Sequence, residues 1–155
     1  MMMSPLSKRV WQCGIASVEF TLTLPLLLLL LLATAELGRM LSQYDTLTKA
    51  VRDGARYLAA NALSGSTSTV QITSQVQTQT QCLVVTGNVN GTGSALLPGL
   101  AVGNVTVSDA GNGYVSVSAS YTYQPMLGAL PTFGLTASPI SLAIPLTTTV
   151  VMRAL

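Results

Sequence analysis

An apolar run near the N-terminus constrains this chain more than any other feature. Residues 20–35, FTLTLPLLLLLLLATA, contain no charged side chain, and a carboxylate, Glu19, comes directly before them. Counted from Val18 to Ala35 the run has 18 residues, the short end of what spans a bilayer. An ionisable group at the edge of such a span is energetically costly and is usually kept for a function. The sequence therefore predicts a transmembrane helix with a functional residue, Glu19, at its start.

The charges that flank the run favour one orientation. Lys8 and Arg9 precede it, which predicts a cytoplasmic N-terminus and an exported remainder. Basic residues beyond the run argue mildly against this, namely Arg39, Lys49, Arg52 and Arg56. The predicted organisation is a cytoplasmic leader at 1–14, a transmembrane helix at 15–36, an exported continuation of that helix at 37–63 and a small exported domain at 64–155.

The helical pattern continues past the apolar run without a break. Pro25 predicts a kink within the span. From Glu36 onward, apolar residues recur at helical spacing and predict one buried face, formed by Leu37, Leu41, Tyr44, Val51, Ala55, Leu58 and Ala62. Charge pairs at contact spacing support the helix, namely Glu36 with Arg39, Asp45 with Lys49, and Asp53 with Arg56. A helix from Ile15 to Ala62 would be about 70 Å long, so its second half must pack against a domain.

The remaining residues predict a small α+β domain. Ser64 to Thr69 is a linker, and Val70 to Val85 fits either a strand or a second amphipathic helix, of which the helix is favoured. Three antiparallel strands are expected at 101–108, 114–123 and 140–152, the first two joined by a tight turn at 110–113. Pro145 predicts an edge or a bulge in the last strand. The long helix should cover one face of this sheet.

The composition argues against enzymatic chemistry. Only 8% of the residues are charged, against about 25% in a typical domain, and the chain has no histidine. After Ala62 the charged side chains are Asp109 and Arg153, so a pair of carboxylates or a Ser-His-Asp triad is excluded there. No metal, cofactor or small-molecule substrate is expected. The net charge of +2 is too weak for a nucleic-acid-binding protein.

Two cysteines are present, and neither predicts a functional site. Cys13 precedes the apolar run, whereas a lipid-attachment cysteine would follow it. Cleavage after Gly14 would remove Cys13 and leave Cys82 as a single thiol, which cannot form a disulfide within the chain. We interpret Cys82 as a small buried residue.

Several short motifs between Gly14 and Ala59 together resemble the TadE-like pseudopilins of bacterial tight-adherence (Tad/Flp) pili. In that family they typically have the forms VEF, LP, E-x-GR and AR-E/D-GAR. The matching residues here are Val18-Glu19-Phe20, Leu24-Pro25, Glu36-Leu37-Gly38-Arg39 and Arg52-Asp53-Gly54-Ala55-Arg56. The terminal Val151-Met152-Arg153 also resembles the family's closing strand. The chain departs from the family in the low charge of its exported part and in having Cys13 before the glycine.

The resemblance implies a pilin-like fold and cleavage by a prepilin peptidase between Gly14 and Ile15. Glu19 would then be the fifth residue of the mature chain, with Glu19 and Phe20 at the subunit-packing surface. The implied partners are the bacterial inner membrane, the prepilin peptidase, other Tad pilins or pseudopilins (TadF-like and Flp), and the assembly machinery. The implied role is a minor subunit needed to assemble an adhesive pilus, with the C-terminal domain outside the cytoplasm.

Two other functions remain open at the level of the sequence. The chain would be an uncleaved, single-pass anchored binding or adhesive module if it never entered a pilus. It would be a secreted soluble domain if a signal peptidase cut after Ala35, since Ala33-Thr34-Ala35 has the small-x-small form of such a site. The unbroken helical pattern past Ala35 weighs against this second alternative.

Overall fold

The fold combines one long helix with a small antiparallel sheet, as the sequence predicts. The computed structural model describes residues 12–63, 69–126, 128–130 and 140–155. Most of the leader and the Ser/Gly/Thr linker lie outside the described residues, as does most of the predicted crossing at 124–139. The elements are α1 (Gln12–Asn61), α2 (Ser74–Thr86), a short 3₁₀ turn (Val102–Asn104), β1 (Val105–Gly111), β2 (Tyr114–Thr122), β3 (Ala129–Leu130), β4 (Ile140–Ser141) and β5 (Pro145–Arg153).

Helix α1 runs through the apolar segment and far beyond it. It is continuous over 50 residues and contains Pro25 in its interior. Its most apolar 18-residue window has a mean hydropathy of 2.2, and no residue of that window is buried by the rest of the described protein. Threonine hydroxyls in this part bond back to the helix, as Thr21 does to the Ser17 carbonyl at 2.8 Å and Thr34 to the Leu31 carbonyl at 2.8 Å. These polar side chains of the apolar segment are therefore satisfied within the helix itself.

The sheet has the strand order β1-β2-β5 and is antiparallel throughout. The predicted hairpin is present, because Asn112 and Gly113 both adopt positive φ, at 54° and 78°, as a two-residue primed turn requires. The predicted last strand is wrong in one respect. It is divided into β4, which pairs with β3 in a separate small sheet, and β5, which begins at Pro145. Proline cannot donate a ladder hydrogen bond, so it occupies the first position of β5.

Helix α2 confirms the helical interpretation of the ambiguous segment. The side chain of Thr73 caps its first turn by accepting from the Val76 amide, and Gly87 ends it with φ of 73°. The helix crosses α1 at Gly54, where an added Cβ would overlap Val84 Cγ2 and lie 3.6 Å from Thr80 Cγ2. A glycine in the middle of α1 is therefore explained by the close approach of α2.

The buried face of α1 differs from the predicted one in its first half. Val51, Ala55, Leu58 and Ala62 are buried as expected, and Leu47 joins them. Leu37, Leu41 and Tyr44 are exposed instead, with 54%, 63% and 42% of their surface accessible. The sheet rests on a neighbouring stripe of α1 that starts at Glu36 and continues through Met40 and Gln43. The apolar pattern predicted the wrong stripe because polar side chains, Glu36 and Gln43, occupy two of these three domain-facing positions.

The ion pair between Asp45 and Lys49 is confirmed, with 2.7 Å between Oδ2 and Nζ. Asp53 and Arg56 are both exposed and lie beyond ion-pair distance. Glu36 is 7% exposed and directs its carboxylate at the loop after β2. The charge spacing thus predicted the helix correctly, and among the pairs it suggested Asp45 with Lys49 is an ion pair whereas Asp53 with Arg56 is not.

The domain lies alongside α1 with a defined direction. Thr122 at the end of β2 lies next to the Tyr123 that contacts Glu36, whereas Leu155, beyond the end of β5, donates its amide to the Ala59 carbonyl at 3.0 Å. Strand β2 therefore runs toward the apolar segment and β5 runs away from it. One end of the domain adjoins the end of the apolar segment, and the hairpin turn at Asn112 lies at the other.

Candidate functional site

The N-terminal motif lies on a bare stretch of α1. Ile15 is 72% exposed and Phe20 58%, and Glu19 is exposed as well. A Cβ built on Gly14 would meet no atom within 4 Å. Ile15 and Glu19 are four residues apart and so share one face of the helix. The chain's own domain thus leaves this motif open to a membrane, a peptidase or another subunit.

A second cluster forms where α1 leaves the apolar segment. Tyr123 donates its hydroxyl to the Glu36 carboxylate, and the Met126 amide donates to Glu36 Oε1 at 2.9 Å. The Tyr123 hydroxyl also lies 3.5 Å from the Glu36 backbone carbonyl. We call these contacts among Glu36, Tyr123 and Met126 the junction clamp. They hold the loop after β2 against α1 at the end of the apolar segment.

Burial explains the electrostatics of the junction clamp. Tyr123 is 1% exposed, and this burial raises the pKa of its hydroxyl to about 12, with the hydrogen bond to Glu36 and that carboxylate's charge acting in the same direction. The nearby Arg39 charge opposes the rise in this pKa. Nη1 of Arg39 is buried and has no hydrogen-bond partner among the described residues. A buried carboxylate needs donors such as the Tyr123 hydroxyl, because leaving it unpaired costs several kcal/mol.

A second hydrogen bond between a tyrosine hydroxyl and α1 lies nearby, and its acceptor is a neutral amide instead of a carboxylate. Tyr121 lies in β2, two residues before Tyr123, and its hydroxyl donates to Gln43 Oε1 at 3.1 Å. Buried tyrosine hydroxyls usually find a partner, so two buried tyrosines spaced two residues apart indicate polar partners on the covering helix. Sequence reasoning missed Tyr121, Gln43, Tyr123 and Met126. The sequence did contain a signal that could have identified them: polar residues at positions 36 and 43 lie on the same helix face as the buried Leu47.

The other residues singled out from the sequence lie apart from this clamp. A Cβ built on Gly38 would meet no atom within 4 Å, so the chain's own domain does not require a glycine there. Gly54 is required by α2. Arg52 and Arg56 are exposed on α1. The structure therefore brings Glu36 and Arg39 to one place and leaves Glu19 more than four helical turns away along α1.

The described residues offer little for catalysis or metal binding. Among them, no three histidine, cysteine, aspartate or glutamate side chains lie close enough to hold a metal ion. Cys82 is a half-buried free thiol, packed near Gly91. What the two clusters can do chemically is pair charges and fix the position of the domain.

Comparison with known proteins supports the resemblance found in the motifs. The family model described as "TadE-like protein" matches residues 14–56. No curated protein and no solved structure matches the chain significantly. The matched segment begins at Gly14 and includes both the N-terminal motif and Glu36, and it confirms the TadE-like resemblance for this part of the chain.

Proposed function

We propose that this protein is a minor pilin or pseudopilin subunit needed to assemble a Tad/Flp-type adhesive pilus. The TadE-like match over residues 14–56 carries the proposal, because it starts at the predicted cleavage glycine and covers the apolar span. In this role the protein is not an enzyme and uses no cofactor. Its partners are the inner membrane, a prepilin peptidase, and other Tad pilins or pseudopilins.

The proposed mechanism begins with cleavage between Gly14 and Ile15. The cut creates an ammonium group on Ile15, about one helical turn from Glu19. It also removes Lys8 and Arg9, which hold the leader at the cytoplasmic face, and leaves five basic and five acidic side chains. A carboxylate within hydrocarbon is stable only when paired. The new ammonium of a neighbouring subunit supplies that partner, and the pair sets the axial register of packing.

The exposed position of Glu19 supports this pairing. Within the described residues, neither the sheet nor α2 reaches the start of α1, so a partner for the carboxylate must come from outside this part of the chain. Glu19→Gln should leave membrane insertion intact and abolish pilus output. Asp45→Asn is the matched control, since it neutralises an exposed carboxylate on the same helix outside the span. Normal piliation in Glu19→Gln would refute the pairing mechanism.

The cleavage site has a separate test. Gly14→Arg should prevent the mobility shift that accompanies processing, and an unchanged shift would place the site elsewhere. N-terminal sequencing of the mature protein separates all three functions considered. Ile15 as the first residue supports the pseudopilin, Met1 supports a plain membrane anchor, and Glu36 supports a secreted domain.

One structural observation disfavours the secreted alternative. The bond between Ala35 and Glu36 lies in the interior of α1, and the Glu36 side chain is buried in the junction clamp. A peptidase needs an extended and accessible segment, so this bond is a poor substrate once the domain has folded. The anchored binding module that never enters a pilus stays the competing function.

A further inference from the structure

We propose that the exported domain contacts the bilayer directly. Its near end inserts into the leaflet of the inner membrane that faces the domain. This near end comprises the segments 123–126 and 142–144 together with Leu37. Its partner is the lipid itself, at the level of the glycerol backbone and the upper acyl chains. The inference rests on the membrane anchoring in the proposed function and adds a second membrane contact to it.

The junction clamp determines the height of this surface above the membrane. Glu36 is the last residue of the predicted transmembrane helix, and the Met126 amide donates to its carboxylate at 2.9 Å. Tyr123 in turn donates its amide to the Ile144 carbonyl at 3.0 Å. Both segments are therefore tied to the residue that emerges from the bilayer, and they lie at the membrane surface whenever α1 spans it.

Apart from Gln124, the exposed large side chains at this level are apolar. Met126 is 79% exposed and Ile144 44%, and Leu37 on α1 is 54% exposed beside them. A groove of about 120 Å³ lies between helix and domain, with Ala33, Leu37, Met40, Leu142 and Ile144 among its walls. Ala33 belongs to the predicted span, so the groove is continuous with the apolar helix surface that the bilayer covers. Clustered exposed apolar surface of this kind indicates a contact site.

The charge distribution points to lipid as the occupant. No charged residue occurs between Ala110 and Met152, a stretch that supplies β2, β4 and most of β5. The carboxylate of Glu36 is covered by the Tyr123 hydroxyl and the Met126 amide, so the near end does not present it to hydrocarbon. Arg39, the other charged residue of this end, lies almost one turn farther from the span and is half-buried, with its Nη1 enclosed by the protein. Asp109 and Arg153 lie by the hairpin at the far end. From Glu36 to Ala59, which contacts that far end, α1 rises by about 35 Å.

Fluorescence quenching in vesicles tests the inference with the full chain. Trp11 is replaced by Phe to give a tryptophan-free background, and single tryptophans are introduced as Met126→Trp, Ile144→Trp, Leu28→Trp and Asn112→Trp. Each variant is reconstituted into phosphatidylcholine vesicles whose lipids carry bromine either high on the acyl chains or near their ends. Bromine quenches tryptophan on contact, so the loss of fluorescence reports depth.

The expected result is strong quenching at positions 126 and 144 by the shallow bromines. Position 28 should be quenched most by the deep bromines and position 112 by neither. Quenching at 28 without quenching at 126 and 144 overturns the inference while leaving the anchor intact. That outcome would also follow if a neighbouring subunit, rather than lipid, covered the groove. Absence of quenching at 28 overturns the anchor and the inference together.

Discussion

Replacing Tyr123 by phenylalanine removes one hydroxyl from the junction clamp and leaves the ring in place. The buried Glu36 carboxylate then keeps the Met126 amide but loses the hydrogen bond from the tyrosine hydroxyl. A hydrogen bond to a charged group contributes about 1.5–3 kcal/mol, so Tyr123→Phe should lower the free energy of unfolding by that amount. The phenyl ring still fills the site, so no cavity contributes to the loss.

The chain offers a matched control for this substitution. Tyr121→Phe removes a hydroxyl from an equally buried tyrosine two residues earlier, but this hydroxyl donates to a neutral amide oxygen, Gln43 Oε1. The expected loss is about 0.5–1.5 kcal/mol. Urea unfolding of each full-length variant in a mild non-ionic detergent, followed by far-ultraviolet circular dichroism, gives both values. The slope against urea should be unchanged, because the surface exposed on unfolding is the same.

Two results would refute the reasoning. Equal losses for Tyr123→Phe and Tyr121→Phe would mean that the charge on Glu36 does not strengthen the clamp. A loss for Tyr123→Phe that persists unchanged in a Glu36→Gln background would mean that the hydroxyl acts independently of the carboxylate. In the expected outcome the two substitutions couple, as neighbours in one network do.

The remaining predictions concern pH and two glycines. The raised pKa of Tyr123 means that the folded state favours the neutral hydroxyl. The stability contributed by this hydroxyl should be complete below about pH 10 and should be lost as the pH rises toward 12. The free energy of unfolding should therefore fall less steeply with pH in Tyr123→Phe than in the unsubstituted protein. Gly54→Ala should destabilise the protein by about 1–3 kcal/mol, because the new methyl overlaps Val84. Gly38→Ala should stabilise it by about 0.5–1 kcal/mol, because the helix gains propensity in open space. The opposite signs are measured in the same urea titration, and a loss at both positions would contradict the assignment of Gly54 as the packing position.

Local chemistry made much of the fold predictable. The Asn112-Gly113 turn needs two positive φ angles, which few other residue pairs adopt, and alternating apolar residues identified β2. Helix α1 followed from its unbroken pattern. Pro145 was expected to mark an edge or a bulge, and it is the first residue of β5, an edge strand of the sheet. These features depend on neighbours in sequence, which a sequence displays directly.

The candidate site was only partly predictable, because it depends on contacts between distant segments. Glu36 was identified through a family motif, but its partners lie some 90 positions later. The exposed Leu37, Leu41 and Tyr44 looked like a buried face because apolar periodicity reports a stripe without reporting what covers it. The stripe continues the apolar segment of α1, and the chain's own domain packs on the neighbouring stripe instead.

The continuity of α1 has a mechanical consequence. The domain is fastened to this helix at both ends, by the junction clamp near Glu36 and by the bond from the Leu155 amide to the Ala59 carbonyl. A force applied to the domain along the helix axis is therefore carried by hydrogen bonds at both ends of the domain. The force reaches the apolar segment through the helix and not through a flexible linker. The apolar segment and the domain are therefore coupled through the helix backbone, so an axial displacement of one should displace the other.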